Sequence, residues 1–333
     1  MHMQTTVIVV GTGSMAREHM KSMLTQPETT RVAGLVEVDE GSRTETSKLF
    51  SDAGQTCPPF FDSIGELLEA GIEVDTAFIV TPHKFHFDNA RECLENGIDV
   101  LVEKPMVMNA EEAEALIAVR DRTARLLVVG FPGSLSPAVK TAKAMIAEGR
   151  IGRVTGIAAH VYQDWKKITL GTWRQDPEIS GGGFLFDTGS HMVNTVVDLI
   201  GEDILEVTAI MDNCGTPVEI NSSVGGRFRS GILFSLAGMG DATHCSSEVF
   251  VHGEDGVLQT GIWGECLKLR MTDDAEFQPV DYPASSGVWE QFLEVRAGEL
   301  ENPCPPEVGL RFARLMGMIR ESADSGRLVR ASA

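Results

Sequence analysis

The chain has 333 residues with 28 Lys+Arg against 48 Asp+Glu, a formal charge of −20. A surface of that sign repels phosphate backbones and anionic lipid, so nucleic-acid and membrane-surface partners are not expected, and any anionic ligand needs a local device to hold it. The hydrophobic content of 43%, the six scattered cysteines without a C-x-x-C pair, and the lack of any 18-residue apolar run exclude disordered, disulfide-scaffold, structural-zinc and helical membrane-spanning classes. The thiols read as reduced, no signal peptide is evident, and the expected compartment is the cytoplasm.

In chain order, short apolar runs at Val7–Val10, Val32–Val36, Thr76–Val80, Ile98–Val102 and Leu126–Val129 are too short for helices and read as strands. Helix signals lie between them. Ser63 and Glu66 have capping-box spacing ahead of Leu67 and Leu68. Asn96-Gly97 stops a helix over Asp88–Glu95, and Asn109 with Glu112 opens another over Ala110–Asp121. This alternation predicts a doubly wound parallel sheet in an α/β domain. Past residue 130 the pattern changes. A helix over Ser136–Glu148 precedes longer, alternating runs at Val154–Val161, Ile204–Met211, Gly225–Leu236, Ser247–Val251, Gly256–Ile262 and Cys266–Met271. They predict a large, open, mostly antiparallel sheet. The expected organisation is a nucleotide-binding domain over 1–130 and a substrate-binding and oligomerisation α/β domain over 131–333. A closing helix near 308–324 has the option of packing back on the first domain.

Gly11-Thr12-Gly13-Ser14-Met15-Ala16 fits G-x-G-x-x-G/A between the first strand and the first helix. The first glycine permits the tight turn, the second lets backbone approach a pyrophosphate, and Ala16 permits close helix–strand packing. The helix N-terminus offers N–H groups and positive dipole, which is how so acidic a chain can hold an anionic cofactor. Glu37 ends the second strand, where a carboxylate accepts from both ribose hydroxyls and repels a 2′-phosphate. NAD is therefore expected, with nearby Arg43 leaving NADP open.

Three further segments accompany this turn: Asp75 to Pro82 running on to His86, Glu103-Lys104-Pro105, and Gly181-Gly182-Gly183-Phe184-Leu185-Phe186-Asp187-Thr188-Gly189-Ser190-His191. In this order and spacing they resemble the glucose–fructose oxidoreductase / inositol dehydrogenase (Gfo/Idh/MocA) family over most of the chain. The resemblance implies an NAD(P)-dependent oxidoreductase of sugars, inositols or related polyols. It also implies a Rossmann domain followed by an α/β domain whose open sheet forms homodimers or homotetramers. Residue by residue, it implies Lys104 beside the nicotinamide and the reacting oxygen, Asp187 and His191 as the paired catalytic positions, and Thr81, Pro82, His86 and Glu103 along the nicotinamide side of the cleft. The chain departs from the pattern twice. Relatives often carry an Asn-Arg-Arg-like run where this chain has Phe131-Pro132-Gly133-Ser134, and many have Asp where it has Asn194.

The residues support the same chemistry when read alone. Alcohol oxidation needs a proton acceptor, a hydride acceptor and stabilisation of charge on oxygen. No metal-ligating constellation is visible. Asp187 and His191 are spaced i, i+4 and share a face if helical, and a His beside a carboxylate is a tunable base. Lys104 precedes a proline at a strand's carboxyl end, where doubly wound sheets bind ligands. Which of Lys104 and His191 is the base stays open. Tyr162, Trp165, Trp173 and Arg174 are candidates to line a sugar pocket, with core or subunit contact as the alternative. The expected activity is hydride transfer between nicotinamide and a secondary hydroxyl of a sugar, sugar derivative or cyclitol. The alternatives are a glycosidase or epimerase using retained NAD for transient oxidation, and a non-catalytic NAD-binding regulator.

Overall fold

The computed structural model describes residues 4–331, which form two compact units. The first comprises residues up to Gly130 together with Gly287–Gly309. Its six strands are β1 (Thr5–Val10), β2 (Thr30–Val36), β3 (Phe60–Phe61), β4 (Thr76–Ile79), β5 (Asp99–Glu103) and β6 (Leu127–Gly130). They pair in the order β3-β2-β1-β4-β5-β6, all parallel. The order reverses between β1 and β4, so the strand ends open a crevice there. The helices are α1 (Ser14–Leu24), α2 (Glu40–Asp52), α3 (Ile64–Glu69), α4 (His86–Glu95) and α5 (Ala110–Thr123). β1 is buried at every position because helices cover both sheet faces. The expected caps are present: Ser63 Oγ accepts from Glu66 N–H at 3.2 Å and Asn109 Oδ1 accepts from Glu112 N–H at 2.9 Å.

One segment differs from expectation. The chain that joins the first unit from afar is residues 287–309, while most of the closing helix, Pro306–Ser325, lies in the second unit. The reason is aromatic burial. Trp289 and Phe292, on helix Val288–Arg296, are at most 1% exposed in one core with Val7, Val9, Phe78, Leu101, Val128, Met20 and Met23. Trp289 Nε1–H donates to Thr30 Oγ1 at 2.9 Å, and Cys304 carbonyl accepts from Val129 N–H at 2.9 Å.

The second unit comprises Phe131–Ser286 and Leu310 onwards. It carries short helices α6 (Pro132–Leu135), α8 (Trp165–Ile168), α9 (Pro177–Ser180) and α10 (Phe184–Asp187), and longer helices α7 (Pro137–Ala147) and α11 (Gly189–Ile200). Its nine strands are β7 (Val154–Tyr162), β8 (Ile204–Asp212), β9 (Asn221–Phe228), β10 (Leu233–Met239), β11 (Ser246–Gly253), β12 (Gly256–Thr260), β13 (Leu267–Met271), β14 (Gln278–Pro279) and β15 (Val329–Arg330). Their order is β14-β13-β12-β11-β7-β10-β9-β8-β15, antiparallel except for β7 with β10. The run expected over Gly225–Leu236 is a hairpin instead: Gly231, at φ +96°, turns the chain between β9 and β10. Along β7, Ile157, Ala159 and Val161 are buried while Ala158, His160 and Tyr162 are half-exposed, so one face is covered and the other open.

Candidate active site

In the first unit the site begins at the glycine turn. Gly11 has φ +83°, and a Cβ there would meet Val80 O and Thr81 N at 2.9 Å, so no side chain fits against β4. Around Gly13 the space is open, with no atom within 4 Å of a Cβ. Helix α1 begins there with no side-chain cap and no acid in its first turn, whereas Asp39, Ser63 and Asn109 cap α2, α3 and α5. Free N–H groups, positive dipole and open backbone fit a pyrophosphate. Ser14 and Met15 are exposed beside this opening, and Thr12 is buried beneath it.

Glu37 is fixed at the same place. Its Oε2 accepts from Thr12 N–H at 2.7 Å and Thr12 Oγ1 at 3.2 Å, and its Oε1 accepts from the N–H groups of Val38 and Asp39, each at 2.9 Å. Arg43 Nε donates to Glu37 carbonyl at 2.7 Å, its guanidinium pairs with Asp62, and it lies 5.6 Å from the Phe60 ring centroid. The cation left open for a 2′-phosphate is thus already engaged.

At the ends of β4 and β5, Thr81 and Pro82 are half-buried. His86 is 1% exposed, with Nδ1 2.9 Å from Pro105 O and Nε2 2.8 Å from Thr81 O. It joins two loops from within; both ring nitrogens face backbone, not an opening. Glu103 Oε2 accepts from Lys104 N–H at 3.1 Å, and its Oε1 lies 2.7 Å from His19 Nε2. His19 escaped the sequence reading because its partner is 84 residues away.

In the second unit, Gly183 N–H donates to Glu219 Oε2 at 2.6 Å and Phe184 N–H to Glu219 carbonyl at 2.8 Å. A Cβ at Gly183 would collide with that carbonyl, which explains the last glycine of the triplet. Arg320 donates to Gly181 carbonyl and lies over the Phe186 ring at 4.7 Å. Burial pushes the Glu219 carboxyl above its ordinary pKa and pulls Arg320 below its own. Neither residue carries a local sequence signal.

This anchored turn presents Asp187, 6% exposed, at the end of α10, and His191, 9% exposed, in the first turn of α11. The two are on successive helices, with Thr188 between them still at helical angles. Asp187 Oδ2 accepts from Trp165 Nε1 at 2.9 Å and Arg174 Nε at 3.0 Å, and the Arg174 guanidinium lies 4.5 Å from the Trp173 ring centroid. Two of the four candidate sugar-lining residues, Trp165 and Arg174, therefore bond to Asp187, and Trp173 stacks on Arg174; Trp165 itself is 2% exposed. Tyr162 does not join them; it stacks on His160 at 4.6 Å on the open face of the sheet. The alternation of β7 sends it there. His191 is flanked by Phe131 at 6.2 Å and Trp263 at 5.8 Å between ring centroids. Trp263 comes from the turn after β12, which the sequence reading did not connect with the site.

Residues 5–131 match the model of the oxidoreductase family with an NAD-binding Rossmann fold, and residues 139–259 match the GFO/IDH/MocA C-terminal domain. The chain belongs to the GFO/IDH/MocA family. The first match describes an oxidoreductase family and gives the first unit an NAD-binding Rossmann fold. A 1-carboxy-3-chloro-3,4-dihydroxycyclo hexa-1,5-diene dehydrogenase of Comamonas testosteroni is 29% identical over 182 residues, covering 53% of this chain and 45% of that protein. The D-xylose 1-dehydrogenase [NADP(+)] of Haloarcula marismortui is 27% identical over 269 residues, covering 77% and 74%. The chain thus spans less than half the length of the Comamonas protein and about three quarters of the Haloarcula one. A solved levoglucosan dehydrogenase, in complex with NADH and L-sorbose, superposes with TM-score 0.85 at 20% identity, covering 99% of both chains, which is a likeness of fold.

Proposed function

We propose that this chain is an NAD-dependent dehydrogenase acting on a secondary hydroxyl of a sugar, sugar derivative or cyclitol. The observation that carries the reading is the anchoring of Asp187 by Trp165 and Arg174 one helical turn before His191. Such a constellation positions hydroxyls and accepts a proton. Gly11, Thr12, Gly13, Ser14 and Met15 hold the pyrophosphate, Glu37 the ribose, and Thr81, Pro82, Glu103 and Lys104 the nicotinamide side. Bound NAD supplies the hydride acceptor. His191 takes the hydroxyl proton, Lys104 stabilises charge on the oxygen, and Asp187 orients His191 or a neighbouring hydroxyl. Trp173 and Arg174 face the sugar. His86 serves from below, its neutral ring donating one N–H to a carbonyl of the Thr81–Pro105 pair.

The same reading includes a cytoplasmic homo-oligomer. It is supported by six free thiols and by Ile210 and Leu233, exposed by 75% and 52% on the second unit. Light scattering at micromolar concentration checks the oligomer, and a monomer refutes it.

The deciding experiment is NADH formation at 340 nm with D-xylose, levoglucosan and myo-inositol. Positioned proton transfer contributes about 10²–10⁴-fold, so His191→Ala and Lys104→Met are expected to lower kcat by that order while NAD affinity holds. Near-wild-type kcat in His191→Ala overturns its role. Substrate turnover without net NADH, with NAD retained through purification, replaces the dehydrogenase by an enzyme of transient oxidation.

A further inference from the structure

Lys104 is flanked on both sides by groups with little exposure. Ahead of it, Glu103 accepts from Lys104 N–H at 3.1 Å through Oε2, and its Oε1 lies 2.7 Å from His19 Nε2. The two side chains are 13% and 17% exposed. Burial pushes the Glu103 carboxyl up, but the hydrogen bond and charge of His19, with the charge and N–H of Lys104, hold it below the ordinary carboxylate range. An ionised carboxylate only accepts, so the proton of this bond belongs to His19 Nε2. Behind Lys104, the Pro105 carbonyl faces His86 Nδ1 at 2.9 Å.

The His19 ring is itself fixed. It packs on Phe78 of β4 with 4.8 Å between centroids. His19 belongs to α1, the helix whose uncapped first turn stands at the glycine turn. One rigid helix therefore carries both the N–H groups offered to the cofactor and the ring that grips Glu103.

We propose that His19 is a positioning residue for Lys104. Through Glu103 it sets where the Lys104 ammonium sits relative to the cofactor-binding turn. Glu103, assigned above to the cofactor's edge, works as the link in that chain. The inference rests on the catalytic reading of Lys104. A salt bridge serving stability alone is the competing account, and it makes a different prediction: a lower melting temperature with unchanged turnover of the folded protein.

The test compares His19→Ala, His19→Gln, Glu103→Gln, Lys104→Met and His19→Ala/Lys104→Met in the full chain. The first readout is kcat and KM against pH, with whichever of D-xylose, levoglucosan and myo-inositol turns over. Misplacing a catalytic group by about 1 Å costs about 10²-fold, which is the loss expected in kcat for His19→Ala, with NAD affinity little changed. A further loss of rate should set in on the acid side, because Glu103 loses the partner that keeps it ionised. His19→Gln, whose amide N–H can still donate to Glu103, should recover most of the rate. Glu103→Gln should fall as His19→Ala does. In the Lys104→Met background, His19→Ala should cost little more, since the two act as one unit. The second readout needs no substrate: labelling of Lys104 by trinitrobenzenesulfonate, followed by mass spectrometry. It should speed up severalfold in His19→Ala and Glu103→Gln and stay at the wild-type rate in His19→Gln.

If Lys104→Met keeps wild-type kcat, the catalytic reading of Lys104 fails. If Lys104→Met loses activity while folded His19→Ala keeps the wild-type rate, pH profile and labelling, the positioning role fails alone. If none of the three sugars turns over, equal labelling rates in all variants overturn it.

Discussion

Asn194 Nδ2 donates to Ser134 Oγ at 2.8 Å, and both residues are buried, 3% and 2% exposed. Ser134 closes the Phe131–Ser134 run, and this run and Asn194 are the two segments at which the resemblance implies a departure; the hydrogen bond joins them. The pair is neutral, and His191 lies three residues before Asn194 on α11. Ser134→Ala strands a buried amide N–H and should cost about 1–3 kcal/mol by urea unfolding. Ser134→Ala/Asn194→Leu removes both polar groups and should recover much of that loss. A double variant no better than the sum of two single losses would show that the hydrogen bond is incidental to packing.

Glu37 and Arg43 make cofactor choice testable. With Arg43 engaged by Glu37 carbonyl and Asp62, nothing in that pair favours a 2′-phosphate. Two like charges about 4 Å apart repel by about 1–4 kcal/mol between bulk water and a protein surface. NAD should therefore bind at least several-fold more tightly than NADP. Glu37→Gln should narrow the gap, and Arg43→Gln should leave the ratio nearly unchanged. Fluorescence titration with both cofactors decides. A fall in NADP affinity confined to Arg43→Gln would instead make Arg43 a phosphate ligand.

His86 should leave a mark on acid stability. Burial is the largest influence and lowers its pKa; the Pro105 and Thr81 carbonyls and Glu103 pull it back up, and Lys104 pushes it further down. The native state then stays neutral where the unfolded chain, at about 6.5, takes up a proton. Stability is full above that pH and falls as pH drops toward the native pKa, with a slope of up to about 1.4 kcal/mol per pH unit. His86→Gln should flatten the curve below about pH 6.5. An unchanged slope in urea melts would mean that His86 titrates alike in both states.

The sequence by itself determined what neighbours along the chain decide. Apolar runs too short for helices became β1, β2, β4, β5 and β6, because burial on both faces demands continuous apolar strands. Ser63 with Glu66 and Asn109 with Glu112 capped their helices, since each contact closes within one turn. The glycine turn could be read because backbone geometry alone selects glycine at Gly11. Only the tertiary structure decided the rest, through contacts that no local pattern encodes. His19 reaches Glu103 across 84 residues, Glu219 caps the Gly183 turn from 36 residues away, and Asn194 meets Ser134 across 60. The return of residues 287–309 to the first unit follows from the burial of Trp289 and Phe292, and such burial depends on which apolar surface is left uncovered once the sheet has formed.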